Sequence, residues 1–238
     1  MPSVSANLRI KTKKPTRFDF NSLADTYDKW YETAEGAMYD RLEKNAISKY
    51  LLRNIRGRKL LEIGCGTGHW SQFFGEHDFE VMGVDVSKRM INKALETKLQ
   101  NTSFYIADGH FLPFKDGAFD VTAAMVTLEF VRDAELVMQE MVRCTRKPGG
   151  QLLIGVLNAL AQLNRKRKGN LGSPYVNARF FSPKQLEQLL EPYGQTHIAV
   201  AGFVPGQKWL LSLAPLTDLI CRLLHRPSGV FIAAEVRL

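Results

Sequence analysis

Between residues 59 and 158, short apolar runs alternate with longer amphipathic stretches. "KLLEIG" (59–64), "EVMGVDV" (80–86), "TSFYIAD" (102–108), "FDVTAAMVTL" (119–128) and "GGQLLIGVLN" (149–158) read as strands, each bounded by turn-forming or charged residues. Their apolar positions run on continuously, as in strands buried on both faces. Between them, "GHWSQFFGEH", "SKRMINKALETKL" and "DAELVMQEMVRCTR" read as helices. Ser87 is placed to cap the second, and the basic residues closing the third suit the negative end of its dipole. This alternation predicts a parallel sheet covered by helices on both faces.

The flanks follow the same logic. "FNSLADTYDKWYET" (20–33) and "EGAMYDRLEKNAISKYLLRNI" (35–55) predict N-terminal helices. In the second, Met38, Leu42, Ile47 and Leu51 supply one buried face, and Arg56-Gly57-Arg58 ends it. "SPKQLEQLLEPY" (182–193) predicts a helix with Ser182 as N-cap and Pro183 at its first position. "THIAVAGFV" (196–204) and "GVFIAAEVRL" (229–238) are β-rich. The expected fold is α/β: a doubly wound, mainly parallel seven-stranded sheet with an N-terminal helical extension. Residues 1–17 are expected to form a basic flexible tail and 18–238 a single domain. Within it, 18–56 would hold the N-terminal helices, 58–158 the core, and 159–238 a covering segment and the last strands.

Composition changes little in this picture. Of the 238 residues, 45% are hydrophobic and 24% charged, as in soluble globular proteins. The three cysteines, Cys65, Cys144 and Cys221, are odd in number and far apart, which predicts reduced thiols and a cytoplasmic protein. Neither they nor the five histidines have metal-ligand spacing, so no metal site is expected. The N-terminus lacks the apolar core of a signal peptide, and the best membrane-spanning candidate, "WLLSLAPLTDLICRLL", is interrupted by Pro215 and Asp218.

Charge adds more. The net charge is +8, and residues 141–186 hold nine basic side chains and no acid. Such a zone draws anionic substrates, nucleic acids or anionic membranes, or is a solvated face. Only Tyr175, Phe180 and Phe181 interleave with it, so nucleic acid is not an expected partner. "KWLLSLAPLTDLICRLLHR" (208–226) combines an apolar face with basic residues. It is expected to pack as a helix over the active site, with peripheral membrane contact as the alternative.

The candidate chemistry begins at "LLEIGCGTGHW" (60–70), where Gly64, Gly66 and Gly68 follow the first strand. A glycine turn at this point lets backbone approach a ligand, beside the free N–H groups of a helix N-terminus. A dinucleotide fingerprint would want glycine at position 69, where His69 stands, so a nicotinamide reading loses ground. The second strand ends in Asp85, placed to accept hydrogen bonds from a ribose diol, and the third in Asp108. A glycine turn and two carboxylates thus sit at adjacent strand ends.

"LEIGCGTGHW", "VMGVDVS", "ADGHFLPFKDGAFDVTAAMVTLEFV" and "EMVRCTRKPGGQLLIGVLN" together resemble the class I S-adenosylmethionine-dependent methyltransferases, within them the small-molecule group called type 11. "YDKWYET" and "ARFFSPKQL" extend the likeness over most of the chain. The resemblance implies S-adenosylmethionine as cofactor, with Glu62, Gly64, Gly66 and Gly68 along its amino-acid end and Asp85 on its ribose. It further implies Asp108 at the adenine, with Gly109 or His110, Thr127 and Leu128 against the methionine part, and Tyr27 closing over it. One position departs: many relatives carry His where Glu129 stands, which leaves Glu129 open to a catalytic role or to contact with the cofactor ammonium.

Catalysis by such a protein is mainly alignment of an acceptor with an already activated methyl group, with a base needed only for a protonated acceptor. Candidates for the acceptor side are Glu129, Asn158, Tyr175 and Arg179. The leading expectation is methyl transfer to a small molecule. A membrane-associated quinone or lipid acceptor is a second, and a non-catalytic cofactor-binding module with a basic partner surface a third.

Overall fold

A computed structural model describes residues 16–51 and 57–238. After a one-turn helix α1 (Lys29–Glu32) and the longer α2 (Ala34–Ser48), strands and helices alternate. The order is β1 (Lys59–Ile63), α3 (His69–Glu76), β2 (Glu80–Asp85), α4 (Lys88–Glu96), β3 (Thr102–Ile106), β4 (Val121–Met125), α5 (Ala134–Cys144), β5 (Gln151–Leu157) and α6 (Gln162–Gly169). Helix α7 (Pro183–Leu190), β6 (Gln195–Ala201), α8 (Ala214–Leu223) and β7 (Phe231–Arg237) complete the chain.

All seven strands join one sheet in the order β3-β2-β1-β4-β5-β7-β6. The first five are parallel, and β7 lies antiparallel between β5 and β6. The chain winds outward from β1 through β2 to β3, then returns to place β4 on the other side of β1. That reversal opens a crevice above the carboxyl ends of β1 and β4, where ligands bind in such sheets.

Successive side chains of a strand point to opposite faces, and the core divides accordingly. Leu61, Ile63, Ala124, Leu152 and Ile154 pack against Val137, Met138 and Met141 of α5 and Leu186 and Leu190 of α7. Leu60, Val121, Ala123 and Leu153 pack on the other side against Ile47 of α2 and Trp70 and Phe74 of α3. Ser87 caps α4 through the Met90 N–H, and Ser182 with Gln185 forms a reciprocal capping box on α7, with Pro183 in its first turn.

The flanks depart from expectation. The 20–33 stretch is a 3-10 turn at Phe20–Leu23 followed after a break by α1, which stops where Thr33 turns extended to cap α2 through the Gly36 N–H. Helix α2 ends at Ser48, short of the expected 55; residues 52–56 lie outside the described residues. The expected basic tail lies outside them through residue 15. Its last two residues are fixed rather than flexible: Thr16 bridges to Val131, and Arg17 Nε donates to the Val131 carbonyl. Helix α6 formed from "QLNRKRKG", whose lack of apolar periodicity hid it.

The basic zone 141–186 is not one face. Arg143 is bound by Glu140 and Asp116, and Arg146 by Asp120, acids from outside the window. Helix α8 does not roof the crevice. Its buried residues are Ala214 and Asp218, and its leucines face outward.

Candidate active site

The crevice is a cleft lined by turns at four strand ends and by the N-terminal segment. Gly64 and Gly66 form one wall, Asp85 and Val86 the next, Ala107 to His110 the third, and Met125 to Thr127 the fourth. Thr16, Phe20 and Tyr27 close the remaining side.

Backbone geometry makes the first wall. Gly64 has φ +70°, and a Cβ there would lie 2.4 Å from the Thr127 side chain, so the turn needs glycine to pass that close to β4. Gly66 has φ +55°, and a Cβ on it would meet no protein atom within 4 Å. Asp85 ties this turn to the next: Oδ2 accepts the Gly66 N–H at 3.0 Å and Oδ1 the Ser87 N–H at 2.7 Å. Burial raises its pKa, and the three backbone N–H groups that bind the carboxylate pull against that rise.

Asp108 Oδ1 accepts both the backbone N–H and Nδ1 of His110, the latter at 2.6 Å. His110 Nε2 in turn accepts the Asp133 N–H at 3.3 Å, which leaves the ring proton on Nδ1. Both ring nitrogens are thus engaged within the protein. Thr127 Oγ1 lies 3.1 Å from the Ile63 carbonyl and 3.0 Å from that of Met125, locking β4 to β1 at the cleft floor. Beside it Val126 sits at φ +50°, a conformation costly for a β-branched residue and of the kind that clusters at functional sites.

The N-terminal segment is stitched over the cleft from three directions. Arg17 N–H donates to the Phe130 carbonyl, Asn21 Oδ1 accepts the Ser87 hydroxyl and the Arg89 N–H, and Asp28 accepts the Thr67 hydroxyl at 2.7 Å. Phe20 packs edge-on against Phe130 and Tyr27. Burial pushes the Tyr27 phenol pKa up, and the charges of Tyr175, Asp28 and Asp85 add to the rise.

Beyond Phe130 lies a buried polar cluster. Glu129 is fully buried; its Oε1 accepts the Leu157 N–H, and its Oε2 has no partner. Burial raises its pKa to about 8, with no cation opposing the rise. Glu43 of α2 is also raised to about 8 by burial, opposed chiefly by Arg167 of α6. Arg167 sits over the rings of Trp30 and Tyr175 at 5.0 and 5.4 Å, and Tyr175 packs on Phe130. Burial, then Tyr27 and Glu43, raise the Tyr31 phenol pKa; burial raises that of Tyr175 too, opposed by Arg167 and reinforced by Glu43 and Glu129. Tyr31 stacks on His69, whose Nε2 is 2.7 Å from Asp40.

A family model for a methyltransferase domain matches residues 61–154, the stretch that supplies all four strand-end walls. An uncharacterised protein of Methanocaldococcus jannaschii is 30% identical over 181 residues, 75% of this chain and 82% of that one. The chain belongs to the class I S-adenosylmethionine-dependent methyltransferases. A malonyl-[acyl-carrier protein] O-methyltransferase of Hamiltonella defensa is 31% identical over 144 residues, 59% of this chain and 54% of that enzyme, so the match spans about half of its length. A Thermotoga maritima crystal structure, described as a possible histamine N-methyltransferase, shares the fold with a TM-score of 0.71 at 23% identity, over 92% of this chain and 97% of that one.

In this methyltransferase Tyr27, Gly64, Gly66, Asp85, Asp108, Gly109 and Thr127 converge on the cleft. Three other expected residues stand behind it. Glu62 is buried, and its carboxylate accepts the Ser71 hydroxyl at 2.5 Å; burial puts its pKa at about 8. Gly68 begins α3, and Leu128 is packed in the core beneath β4.

The acceptor-side candidates also separate. Asn158 is spent on structure, donating to the Pro227 and Gly229 carbonyls and accepting the Leu160 N–H. Arg179 is exposed, its guanidinium over Phe181 and 3.8 Å from Glu135. Glu129 and Tyr175 lie in the buried cluster. Glu43, Tyr31, Trp30 and Arg167 were not legible as site residues, because each reads locally as an ordinary helix position. Among the described residues no group of three or more His, Cys, Asp or Glu could hold a metal, and no helix is long and apolar enough to cross a membrane.

Proposed function

We propose that this enzyme methylates a small-molecule acceptor held between the cleft and the buried cluster of Glu129, Glu43 and Tyr175. The observation carrying this is the meeting of Gly64, Gly66, Asp85, Asp108, Thr127 and Tyr27 at one cleft from five separate segments. The cleft fits the cofactor: Gly66 leaves open the space a Cβ would take, and the carboxylates of Asp85 and Asp108 line it at neighbouring strand ends. When bound, S-adenosylmethionine supplies a methyl group already activated on a sulfonium.

The protein's own residues then bind, align and dry the site. The Gly64–Gly66 backbone and Thr127 line the methionine end, Asp85 takes the ribose hydroxyls on its remaining lone pairs, and Asp108 with Gly109 borders the adenine. Tyr27 and Phe20 close the N-terminal segment over the site and exclude water. Positioning of this kind is worth roughly 7–11 kcal/mol. Glu129 Oε2, which has no partner, takes in its ionised form the proton that an N–H or O–H acceptor gives up; with a pKa of about 8 that form grows as pH rises from neutral toward 8. Tyr175, over which Arg167 lies, bounds the acceptor and orients it.

The test is calorimetric titration with S-adenosylmethionine and S-adenosylhomocysteine, beside Asp85→Ala. Micromolar binding that weakens about 100-fold in the variant is expected, since two charge-assisted hydrogen bonds and the ribose contact go together. Transfer of labelled methyl from the cofactor to an acceptor in a cell extract completes it. No transfer with intact cofactor binding would favour a non-catalytic cofactor-binding module.

A further inference from the structure

Helix α8 is built inside out. Its inward stripe is Ala214, Asp218, Cys221 and Arg222, and the polar members are bonded in place. Asp218 Oδ1 accepts the Gly202 and Phe203 N–H groups at 2.8 and 3.1 Å, and its Oδ2 lies 3.7 Å from Arg222. Its outward stripe is Leu216, Leu219, Ile220 and Leu223, spaced i, i+3, i+4 and i+7 on one face. These are 57%, 51%, 47% and 68% exposed, and Trp209, Leu213 and Leu224 extend the patch at both ends. Of the fourteen exposed large hydrophobic residues among those described, seven fall between 209 and 224. A contiguous apolar patch of that kind marks an interaction surface, whereas the other seven are scattered.

The chemistry around the patch selects the occupant. Arg226 lies three residues beyond α8, and a groove adjoins the helix, lined on one side by Leu211, Thr217 and Cys221 and on the other by Arg165 and Lys166 of α6. Among the described residues Glu35 is the one acid lining that groove. Arg165, Lys166 and Lys168 of α6 are exposed at this rim, and the whole chain carries +8. A second copy would bring the same positive rim against this one. An anionic lipid surface supplies both an apolar phase for the leucines and opposite charge for the rim.

We propose that α8 and the preceding residues from Trp209 dock the enzyme reversibly on anionic lipid bilayers, leucine face down, with the basic end of α6 against the headgroups. This surface is separate from the methyl-transfer site, and its test does not depend on activity. The docked orientation turns the adjoining groove toward the bilayer.

The experiment is sedimentation of the full chain with vesicles of phosphatidylcholine alone or mixed with phosphatidylglycerol, at 0.1 and 0.5 M NaCl. Binding to the mixed vesicles is expected at least tenfold above that to neutral ones, with most of it lost at high salt. The double variant L219E/L223E changes only exposed positions. It should keep its thermal midpoint and cofactor affinity while losing tenfold or more of vesicle binding, and the variant R165Q/K166Q should lose less. The Trp209 emission, isolated by difference from Trp209→Phe, should shift to the blue on mixed vesicles. Equal vesicle binding by L219E/L223E, or none by the native chain, overturns the proposal. So does a dimer in sedimentation velocity that this double variant dissociates, which would make a second copy the occupant.

Discussion

The two sides of the candidate active site are made of different material. The cofactor side is backbone: glycine turns and strand ends between residues 63 and 127, held by hydrogen bonds such as Asp85 to Gly66 and Thr127 to Ile63. The proposed acceptor side is side chains: Tyr31 and Glu43 from the N-terminal helices, Glu129 after β4, Arg167 from α6 and Tyr175 from the turn beyond it. A site of the first kind is written in contiguous sequence and can be shared by a family with many acceptors. The second kind exists only where distant segments meet, and each of its members can change without disturbing the sheet.

The largest expected effect separates the two directly. Gly64→Val places a branched side chain where even a Cβ lies 2.4 Å from Thr127, at a φ of +70°. A stability loss of about 3 kcal/mol or more is expected, with no measurable cofactor binding, by thermal melting and calorimetry. Gly66→Ala, with open space around its Cβ, should cost only about 1 kcal/mol of stability yet weaken cofactor binding more than tenfold. Equal loss of stability at both positions would mean that the turn, and not a ligand, requires the second glycine.

Glu129→Gln addresses the other side. Cofactor affinity should stay within about threefold while the transfer rate falls about 10²–10³-fold, because an amide cannot take the acceptor proton. A loss of affinity instead would assign Glu129 to the cofactor ammonium, and the comparison would have to be redrawn with that residue on the backbone side.

Burial of carboxyls predicts a pH effect of intermediate size. Glu43, Glu62 and Glu129 are each raised from an ordinary 4.5 to about 8 by burial. The folded state therefore holds protons that the unfolded chain releases near 4.5. Their contribution to stability is full below that value and is lost as pH rises toward 8. The thermal midpoint should fall by several degrees between pH 5 and 8.5, and Glu62→Gln, permanently neutral, should remove about a third of the fall. A midpoint that climbs over this range would show these groups ionised and paired in the fold.

Arg167→Lys carries the smallest effect. An ammonium cannot spread over Trp30 and Tyr175 as the planar guanidinium does, so about 1 kcal/mol of packing is expected to go, with a further rise in the Glu43 pKa. The KM for the acceptor should rise several-fold with little change in cofactor affinity. An unchanged KM would move Arg167 out of the acceptor side.

The core was legible because its signals are local. A strand buried on both faces needs a continuous apolar run, a close turn needs glycine, and a helix start needs a capping hydroxyl, so Gly64, Ser87 and Ser182 could be read in place. Segments whose conformation depends on partners were misread. The 20–33 stretch has helical composition, but Thr33 gives more as the cap of α2 than as a helix interior, and the chain breaks there. The 208–226 stretch was rightly seen as amphipathic, and its orientation was the opposite of that expected.

By itself the sequence determined the doubly wound sheet and the strand-end glycines and carboxylates of the cleft, because periodicity and turn chemistry act over a few residues at a time. The tertiary structure decided which side chains face one another. It left Glu62 and Asn158 bonded within the protein, joined Glu43 to Glu129 across 86 residues, and turned the leucines of α8 outward. Burial and electrostatics are properties of a side chain's surroundings. No local pattern encodes surroundings that are assembled from segments distant in the chain.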